Sequence, residues 1–478
     1  MSQMWQRLDR VSGRRRLRHR DAAWDQAMLP DPSLPPGTDR VPQIRHIVLL
    51  MMENHSFDNY LGTLGRGDGL PDPPPVNRRR DGTPVPAHHL PTTKQKEHVP
   101  SQSWRASHLQ FDQGRNDGFV TSIQDIAADA DASVAMGYWS AEDLPFYTGL
   151  ARTFPLAERW FCSCLGPTFP NRRFLIAATA HGLIDDVIAG IIDYPRSGTL
   201  FDLLNRHGIG WVNYHHVPAL RLLGPRLAGA AGLRAARTVT LLLRQLLPGL
   251  ERTIRGELQC TANLYPLGLA RTIGHLRHIE HFFHHAAAGT LPPVSIVDPD
   301  FEVYSEENPQ DIRLGEGFAA AVVNAVMHGP GWPHTLLIWL YDEHGGYYDH
   351  VPPPPAAEPD DVLPHSLADS TGPLRWLVEH FGIGARLRRV DSGGGRYDRY
   401  GFRVPAVVVC PYARRDYVSS TPFDHTSALK LIEEKWNLPP LTRRDADALA
   451  PWDLLNLSAP PPFLDPPTLP PPTIPWSP

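Results

Sequence analysis

Five short apolar segments limit the folds open to this chain. They are rich in β-branched residues and lie at residues 47–51, 210–214, 294–297, 336–340 and 404–409. Short runs of this kind are typical of strands that are buried on both faces. Helical patterns lie between them, most clearly at residues 175–180, 200–205, 315–327 and 426–436. Strands alternating with helices predict an α/β fold, with a mostly parallel central sheet and helices on both faces.

The predicted body of this fold, residues 41–450, has segments of different character around and within it. Residues 1–40 mix an Arg-rich run with Pro-rich connectors, which indicates a loosely ordered arm. Residues 219–255 carry seven Arg and one Glu among many Leu and Ala, which predicts a helical insertion. Residues 351–400 are rich in Pro, Asp and Gly and predict long surface loops. Residues 451–478 contain 11 Pro, which favours an extended tail lying on the body.

Charge and hydropathy exclude two classes of protein. The 46 basic and 51 acidic residues leave a formal charge of −5, which gives no reason to expect a nucleic-acid partner. Apolar runs reach only six residues, as at 47–52, whereas a membrane-spanning helix needs roughly 20. The Arg-rich first 20 residues are not followed by the apolar core of a signal peptide. The sequence therefore predicts a soluble, cytoplasmic protein, and it does not indicate an oligomeric state.

Acidic residues follow two of the predicted strands. Glu53 and Asn54 come after the first strand, and Asp342 and Glu343 come after the fourth. Ligands of open α/β sheets collect at the carboxyl ends of the strands, where clustered carboxylates repel one another unless a cation lies among them. Oxygen ligands suit Ca²⁺, Mg²⁺ or Mn²⁺, and carboxylates also bind Zn²⁺. The alternative is that these residues are ordinary turn or cap residues.

Thr168 lies in a loop whose composition indicates a helix start. The segment 165–173 reads Leu-Gly-Pro-Thr-Phe-Pro-Asn-Arg-Arg, and Pro170 suits the first turn of a helix. A hydroxyl at that position would lie beside free backbone N–H groups that favour a phosphate, and a metal could help to ionise it into a nucleophile. The alternative is a Thr that only caps the helix.

Three of the 23 histidines lie in dense polar motifs. They are His108, His350 and His425, and each could donate to a phosphoryl oxygen or to a leaving group. The alternative for each is a surface or packing residue, and His425 could simply belong to a helix start.

The order and the amino-acid sequences of these motifs resemble those of the bacterial phosphoesterase family of non-specific phospholipases C and related acid phosphatases. The resemblance runs from about residue 42 to the Pro-rich tail. The matching segments are residues 46–62, 114–119, 166–172, 289–295, 341–346, 348–351, 403–405 and 423–427. The family is similar in core fold to the alkaline phosphatase superfamily.

The resemblance implies a role for each matching site residue. Glu53, Asn54, Asp342 and Glu343 would hold one divalent cation (Ca, Mg, Mn or Zn), and Thr168 would join them as its ligand and as the catalytic nucleophile that forms a phospho-enzyme. His108 and His350 would be the further catalytic residues. The residues that bind the substrate would be Asn54, Asn171 and Arg172.

Two departures from the family pattern bear on activity. Many relatives have His where this chain has Gln102 and Asn308, and neither replacement can deliver a proton as an imidazolium does. The predicted function is phospholipase C-like hydrolysis of phospholipids. The alternatives are an acid phosphatase acting on phosphomonoesters, and a catalytically impaired relative that binds membranes or a partner. The partner would be a phospholipid or a small phosphoester, and the Arg-rich residues 219–255 would allow peripheral membrane contact.

Overall fold

A computed structural model describes residues 22–96, 99–126, 130–186, 194–216, 261–265, 269–365 and 395–477. The predicted insertion at residues 219–255 lies outside the described residues. So do residues 1–21 of the predicted arm and residues 366–394 of the predicted loops. Within the described ranges, no helix is both long enough and apolar enough to cross a membrane.

Five of the described strands coincide with the apolar segments. In chain order they are β1 His46–Met52, β2 Val76–Arg78, β3 Pro84–Pro86, β4 His88–His89, β5 Gly137–Tyr138, β6 Leu156–Ala157, β7 Trp211–His215, β8 Leu276–His278, β9 Val294–Val297, β10 Thr335–Tyr341, β11 Ala406–Val409 and β12 Val418–Ser419. Each of the five predicted strands is present, as β1, β7, β9, β10 and β11.

Eight strands form one sheet in the order β12-β6-β11-β10-β1-β9-β7-β8. Strands β10, β1, β9, β7 and β8 run parallel, whereas β11 is antiparallel to both of its neighbours. Two smaller sheets pair β2 with β3 and β4 with β5. The predicted mostly parallel α/β fold is therefore confirmed.

Helices surround this sheet. In chain order the described α-helices are α1 Ala22–Ala27, α2 Phe57–Leu61, α3 Trp104–Phe111, α4 Phe119–Ile126, α5 Pro145–Thr153, α6 Thr168–Ala177, α7 Leu200–Arg206, α8 Leu269–Thr272, α9 Ile279–Ala288, α10 Ile312–Met327, α11 His425–Lys435 and α12 Arg443–Asp447. The predicted helices at 200–205, 315–327 and 426–436 correspond to α7, α10 and α11, whereas the predicted segment 175–180 overlaps only the last three residues of α6. Asp424 caps α11 as predicted, because its side chain accepts the N–H of Thr426.

The central strands are apolar because they are covered on both faces. All seven residues of β10 are buried, and in β1 only His46 is partly exposed. Their parallel register pairs Met52 with Tyr341, the last residue of each strand. The residues that follow the two strands therefore emerge side by side at one edge of the sheet.

The Pro-rich tail lies against the body. After the 3₁₀ turn Pro451–Leu454, residues 455–477 form no helix or named strand. The Trp476 ring stacks on Phe283 of α9 at 4.9 Å between centroids and packs edge-on against Phe318 of α10. Gly317 leaves room for the tail, since an added Cβ would stand 2.1 Å from the backbone oxygen of Ile474.

Candidate active site

The two acidic pairs meet at the carboxyl edge of β1 and β10. The backbone N–H of Asp342 donates to the carbonyl of Met52 at 3.1 Å, which extends the strand pairing by one residue. The backbone N–H of Asn54 then donates to Asp342 Oδ1, also at 3.1 Å. The structure thus brings together the predicted residues Glu53, Asn54, Asp342 and Glu343.

The carboxylates of this group are buried and short of positive charge. Burial, together with repulsion from Glu307 and Asp342, raises the pKa of Glu53 well above its usual value. Burial and the neighbouring Asp342 do the same to the pKa of Glu343. Glu53 Oε2 and Glu343 Oε1 are buried without a hydrogen-bond partner. Buried oxygens of this kind fit a cation, because a cation would supply the missing interaction.

Histidine, cysteine and acidic side chains alone do not define a metal centre here. In the part of the chain that the structure describes, no group of three or more of them is arranged to hold a metal ion. The predicted ligand set also includes the amide of Asn54 and the hydroxyl of Thr168. The metal site therefore stays a prediction, and its support is the pair of unpartnered carboxylate oxygens.

Arg172 on α6 is a buried counter-ion of this group. Its Nε donates to Asp342 Oδ2 and its Nη1 to Asp298 Oδ1, both at 3.0 Å. Its Nη2 donates to the carbonyls of Met51 and Met52 at 3.3 Å. Each guanidinium nitrogen thus has a protein acceptor. The predicted role of Arg172 in substrate binding stays a prediction, and the observed contacts are with the acidic group.

Sequence reasoning missed Asp298. It follows β9 directly. Its Oδ2 accepts a hydrogen bond from Asn213 Nδ2 of β7 at 2.8 Å, and its Oδ1 accepts one from Arg172 Nη1. The rule that identified Glu53 and Asp342, an acid at the carboxyl end of a predicted strand, would also have identified Asp298.

Thr168 is the first residue of α6, so it lies at a helix start as predicted. Its hydroxyl donates to Asn54 Oδ1 at 3.4 Å, so it adjoins the acidic group. The preceding turn leaves little room for a side chain at position 166, because a Cβ on Gly166 would lie 3.1 Å from the Trp104 ring. The hydroxyl is thereby held at a helix N-terminus, where backbone N–H groups favour an anion.

Asn171 builds the loop that carries Thr168. Its Oδ1 accepts the N–H of Cys164 at 3.0 Å, and its Nδ2 donates to the carbonyls of Gly166 at 2.8 Å and Pro167 at 3.0 Å. Its amide is therefore fully engaged within the loop. The predicted role of Asn171 in substrate binding is untested by these contacts, which indicate a structural one.

Asp186 is a second acid that sequence reasoning missed. Its Oδ1 accepts the backbone N–H of Phe169 at 2.7 Å, and Phe169 directly follows Thr168. No apolar strand precedes Asp186 and no family motif includes it, so the sequence offers no signal for this contact. The Asp186 carboxylate thus already accepts a hydrogen bond from the backbone N–H group next to Thr168.

His425 holds the Asp342 backbone. Its Nε2 lies 2.6 Å from the Asp342 carbonyl, and its Nδ1 accepts from Trp160 Nε1 at 3.5 Å. Burial lowers the pKa of His425 to about 4, so its ring is neutral near pH 7. These partners assign the ring proton to Nε2, which donates to Asp342.

His108 lies beside the Thr168 loop and makes its hydrogen bond within its own helix. Its Nδ1 donates to the carbonyl of Trp104 at 2.8 Å, and its ring packs on that of Trp104 at 4.5 Å between centroids. Burial lowers the pKa of His108. One aromatic ring therefore separates His108 from Gly166 in the Thr168 loop.

His350 belongs to a separate ionic network. Its Nδ1 lies 2.7 Å from Asp58 Oδ2, and its Nε2 lies 3.2 Å from Asp68 Oδ1. Arg403 joins the network by donating to Asp58 at 3.0 Å and to Asp349 at 2.8 Å. Burial opposes the charged imidazole, but the hydrogen bond and charge of Asp58 outweigh it and raise the pKa of His350. The described contacts of His350 are thus with this network and not with Thr168.

Asn308, one of the two departures from the family pattern, is held by the neighbouring loop. Its Nδ2 donates to the carbonyls of Lys96 at 3.2 Å and of Val99. The amide thus ties Lys96 and Val99 to the segment that follows Glu307.

Known proteins match this chain over most of its length. The Phosphoesterase family is matched over residues 44–439. Phospholipase C B of Mycobacterium tuberculosis (strain ATCC 25618 / H37Rv) is 30% identical over 463 residues, which cover 89% of this chain and 80% of that protein. Phospholipase C A of the same strain is 28% identical over 431 residues, covering 84% and 75% respectively. Non-specific phospholipase C6 of Arabidopsis thaliana is 27% identical over 434 residues, covering 84% and 70%.

The resemblance found in the motifs is thereby confirmed. The matched range contains both strands that end in the acidic pairs, as well as the helix that begins at Thr168. This chain belongs to the Phosphoesterase family and is a phosphoric ester hydrolase.

Proposed function

We propose that this hydrolase cleaves the phosphodiester bond of phospholipids in the manner of a phospholipase C, with Thr168 as its nucleophile. Relatives that carry the name phospholipase C, and that match 84% to 89% of the chain, support the substrate class. One observation carries the assignment of the nucleophile. The Thr168 hydroxyl is 3.4 Å from Asn54 Oδ1, at a helix N-terminus that adjoins a buried acidic group.

Five residues would hold a divalent cation: Glu53, Asn54, Thr168, Asp342 and Glu343. Their oxygens suit a hard ion, and the unpartnered Glu53 Oε2 and Glu343 Oε1 support a cation among them. When bound, the cation would lower the pKa of the hydroxyl and neutralise charge that develops on the phosphoryl oxygens.

The protein's own groups would position the reactants. Asn171 fixes the loop, so that Thr168 Oγ1 points from the start of α6 toward the acidic group. Arg172 and His425 hold the side chain and the carbonyl of Asp342 respectively. The positions of these groups are thus set before the substrate arrives, which is how a site contributes electrostatic stabilisation.

In the proposed reaction, Thr168 Oγ1 forms a bond to phosphorus while the bond from phosphorus to the diacylglycerol oxygen breaks. The Thr168 hydroxyl gives up its proton and the leaving oxygen takes one up, and His108 and His350 are the predicted proton carriers. Water then attacks phosphorus and gives up a proton, and the Thr168 oxygen leaves with a proton, which restores the hydroxyl and releases the phosphorylated head group. The incoming phosphoryl oxygen and Asp186 would compete for the N–H of Phe169.

The test of substrate class is turnover of three compounds by one metal-analysed sample. They are p-nitrophenyl phosphate, p-nitrophenyl phosphorylcholine and phosphatidylcholine. Release of diacylglycerol from phosphatidylcholine is the expected result. Turnover of the monoester alone would identify the protein as an acid phosphatase. No turnover of any compound by metal-loaded protein would identify it as a catalytically impaired relative.

The test of the nucleophile compares Thr168→Val with Thr168→Ser. The Val variant should lose at least about 10²-fold in kcat, because it lacks the hydroxyl, whereas the Ser variant should retain measurable turnover. Acid quenching of the wild type during turnover should trap a phosphoryl adduct on Thr168, detectable by mass spectrometry. A folded Val variant that keeps more than about a tenth of the wild-type kcat would exclude Thr168 as the nucleophile.

A further inference from the structure

Helix α9 presents a row of histidines to solvent. The helix buries Ile279, Phe282 and Ala286 against the body. Its other side carries three histidines, of which His281 and His284 are exposed and His285 is half-buried. None of them belongs to the acidic group at the carboxyl edge of β1 and β10.

His281 and His285 are four residues apart, so they lie one helical turn above each other on one face. Their ring centroids are 6.2 Å apart and their planes are inclined by 38°. A metal ion lies about 2.0–2.1 Å from an imidazole nitrogen, so two rings that share an ion have centroids roughly 5–6 Å apart. A small side-chain rotation therefore suffices for both rings to reach one ion. The same spacing of histidines on one helix face binds zinc in the His-Glu-x-x-His motif.

A buried tyrosine orients one of the two rings. His285 Nδ1 lies 2.6 Å from the hydroxyl of Tyr214 on β7, and the Tyr214 side chain is buried. The second ring nitrogen, Nε2, is left for an external ligand. When Nε2 binds a metal, Nδ1 carries the proton and donates to the phenol oxygen, which is the outer contact that metal-binding histidines commonly make.

The positive charge of Arg277 lies near His285 and would repel an incoming cation. The affinity of a two-ligand site here should therefore be moderate.

We propose that His281 and His285 form a surface site for a divalent transition-metal cation, with water completing its coordination. Imidazole nitrogen favours Cu²⁺ and Zn²⁺ over the hard ions that suit carboxylates, and Cu²⁺ binds such ligands more tightly than Zn²⁺. The site does not depend on the proposed function, since it shares no residue with the acidic group around Thr168.

The test is a Cu²⁺ titration followed by electron paramagnetic resonance, with the full-length protein kept in excess Mg²⁺. Copper at His281 and His285 should show coupling to nitrogen, which distinguishes it from copper bound by carboxylate oxygens. His281→Ala should lower the Cu²⁺ affinity of the nitrogen-coupled species at least tenfold. Because His281 is exposed, this variant should keep the wild-type circular dichroism spectrum.

The matched control is His284→Ala, which removes an exposed histidine from the same helix without touching either proposed ligand. It should leave the nitrogen-coupled species unchanged. The proposal is wrong if His281→Ala binds copper like the wild type, or if His284→Ala removes the nitrogen-coupled species instead.

Discussion

Asn54 depends on a backbone conformation that few side chains tolerate. Its φ is 69°, in the left-handed region, where Asn is among the better accommodated residues. In this conformation its N–H reaches Asp342 while its Oδ1 receives the Thr168 hydroxyl. A β-branched residue at position 54 would be strained and would also lack the acceptor for Thr168.

Asp186 should weaken the binding of phosphate, because its carboxylate occupies the N–H of Phe169. Asp186→Asn keeps an acceptor oxygen but removes the negative charge. We expect the inhibition constant of inorganic phosphate, measured against a chromogenic substrate, to fall severalfold in this variant. Asp185→Asn removes the same charge one residue away and should change that constant less. An unchanged or higher constant in Asp186→Asn would show that Asp186 only caps the helix.

Replacing Arg172 should strongly destabilise the fold. Arg172→Met leaves Asp342 and Asp298 buried without their counter-ion. Removing one partner of a buried ion pair costs about 3–5 kcal/mol, whereas an exposed pair contributes about 0–1 kcal/mol. Urea unfolding should therefore show a larger loss of unfolding free energy in Arg172→Met than in Arg396→Met. The second variant breaks an exposed pair with Glu358. Similar free energies of unfolding for the two variants would contradict this account.

Some residues of the candidate site could be predicted from the sequence, and others could not. Glu53 and Asp342 could be predicted because each directly follows an apolar strand, and the parallel register then brings them together. Asn171 could be placed in the Thr168 loop, but its partners are backbone groups of that loop and leave no pattern of their own in the sequence. Asp186 could not be predicted, because its contact depends on a chain path that no local period encodes.

Whole elements were easier to predict than contacts between them. The segment 294–297 coincides with β9, because its buried apolar residues and its short length both indicate a strand. Helix α6 begins at Thr168, as the Gly-Pro loop indicated, but the helical segment predicted at 175–180 overlaps only its last three residues. All ten residues of the helix are buried, so it gives no amphipathic period. Periodicity reports burial on one face, so a helix buried on all sides is only partly visible to it.

Two elements are joined by Glu316 of α10, whose carboxylate accepts the N–H groups of Phe146 and Tyr147 in the first turn of α5 at 2.8 and 3.2 Å. Burial raises the pKa of Glu316 to about 7, although these hydrogen bonds oppose the shift. The folded state therefore holds this proton more tightly than the unfolded state does. The resulting stabilisation is fully present below about pH 4.5 and is lost as the pH rises through 7.

Glu316→Gln should therefore change how stability depends on pH. We expect the wild type to lose up to about 3 kcal/mol of unfolding free energy from this group between pH 4.5 and 7.5, and the variant to lack that loss. Urea unfolding at both pH values measures the difference. The exposed Glu302→Gln is the control and should leave the pH dependence unchanged. An identical pH dependence in wild type and Glu316→Gln would contradict the assignment.

At the scale of the whole molecule, the Pro-rich tail connects distant parts of the body. Gly149 of α5 lies under Pro470, and Gly317 of α10 lies under residues 474–476. Trp476 reaches α9 as well. The described part of the tail thus spans three helices, and proline content alone could not identify the surface it covers.

Gly317→Ala should displace the tail, because its Cβ would stand 2.1 Å from the Ile474 oxygen. Replacing Gly by Ala within a helix ordinarily stabilises a protein by roughly 0.5–1 kcal/mol. We expect the Tm of Gly317→Ala to fall instead, because the methyl group displaces the tail. Limited proteolysis should cut the tail faster in this variant. Gly274→Ala, where no atom lies within 4 Å of the added Cβ, is the control and should not lower the Tm. A Tm at or above that of the wild type in Gly317→Ala would mean that the tail accommodates the methyl group.

The position of β1 in the sheet sets the order in which the chain can fold during synthesis. This strand leaves the ribosome well before its neighbours β9 and β10, which begin about 240 and 280 residues later. At roughly 5–20 residues per second, β1 waits about 12 to 50 s before either partner has been made. Its six buried apolar residues remain without their strand partners throughout that interval, so a nascent chain is a ready client for chaperones that bind exposed apolar segments.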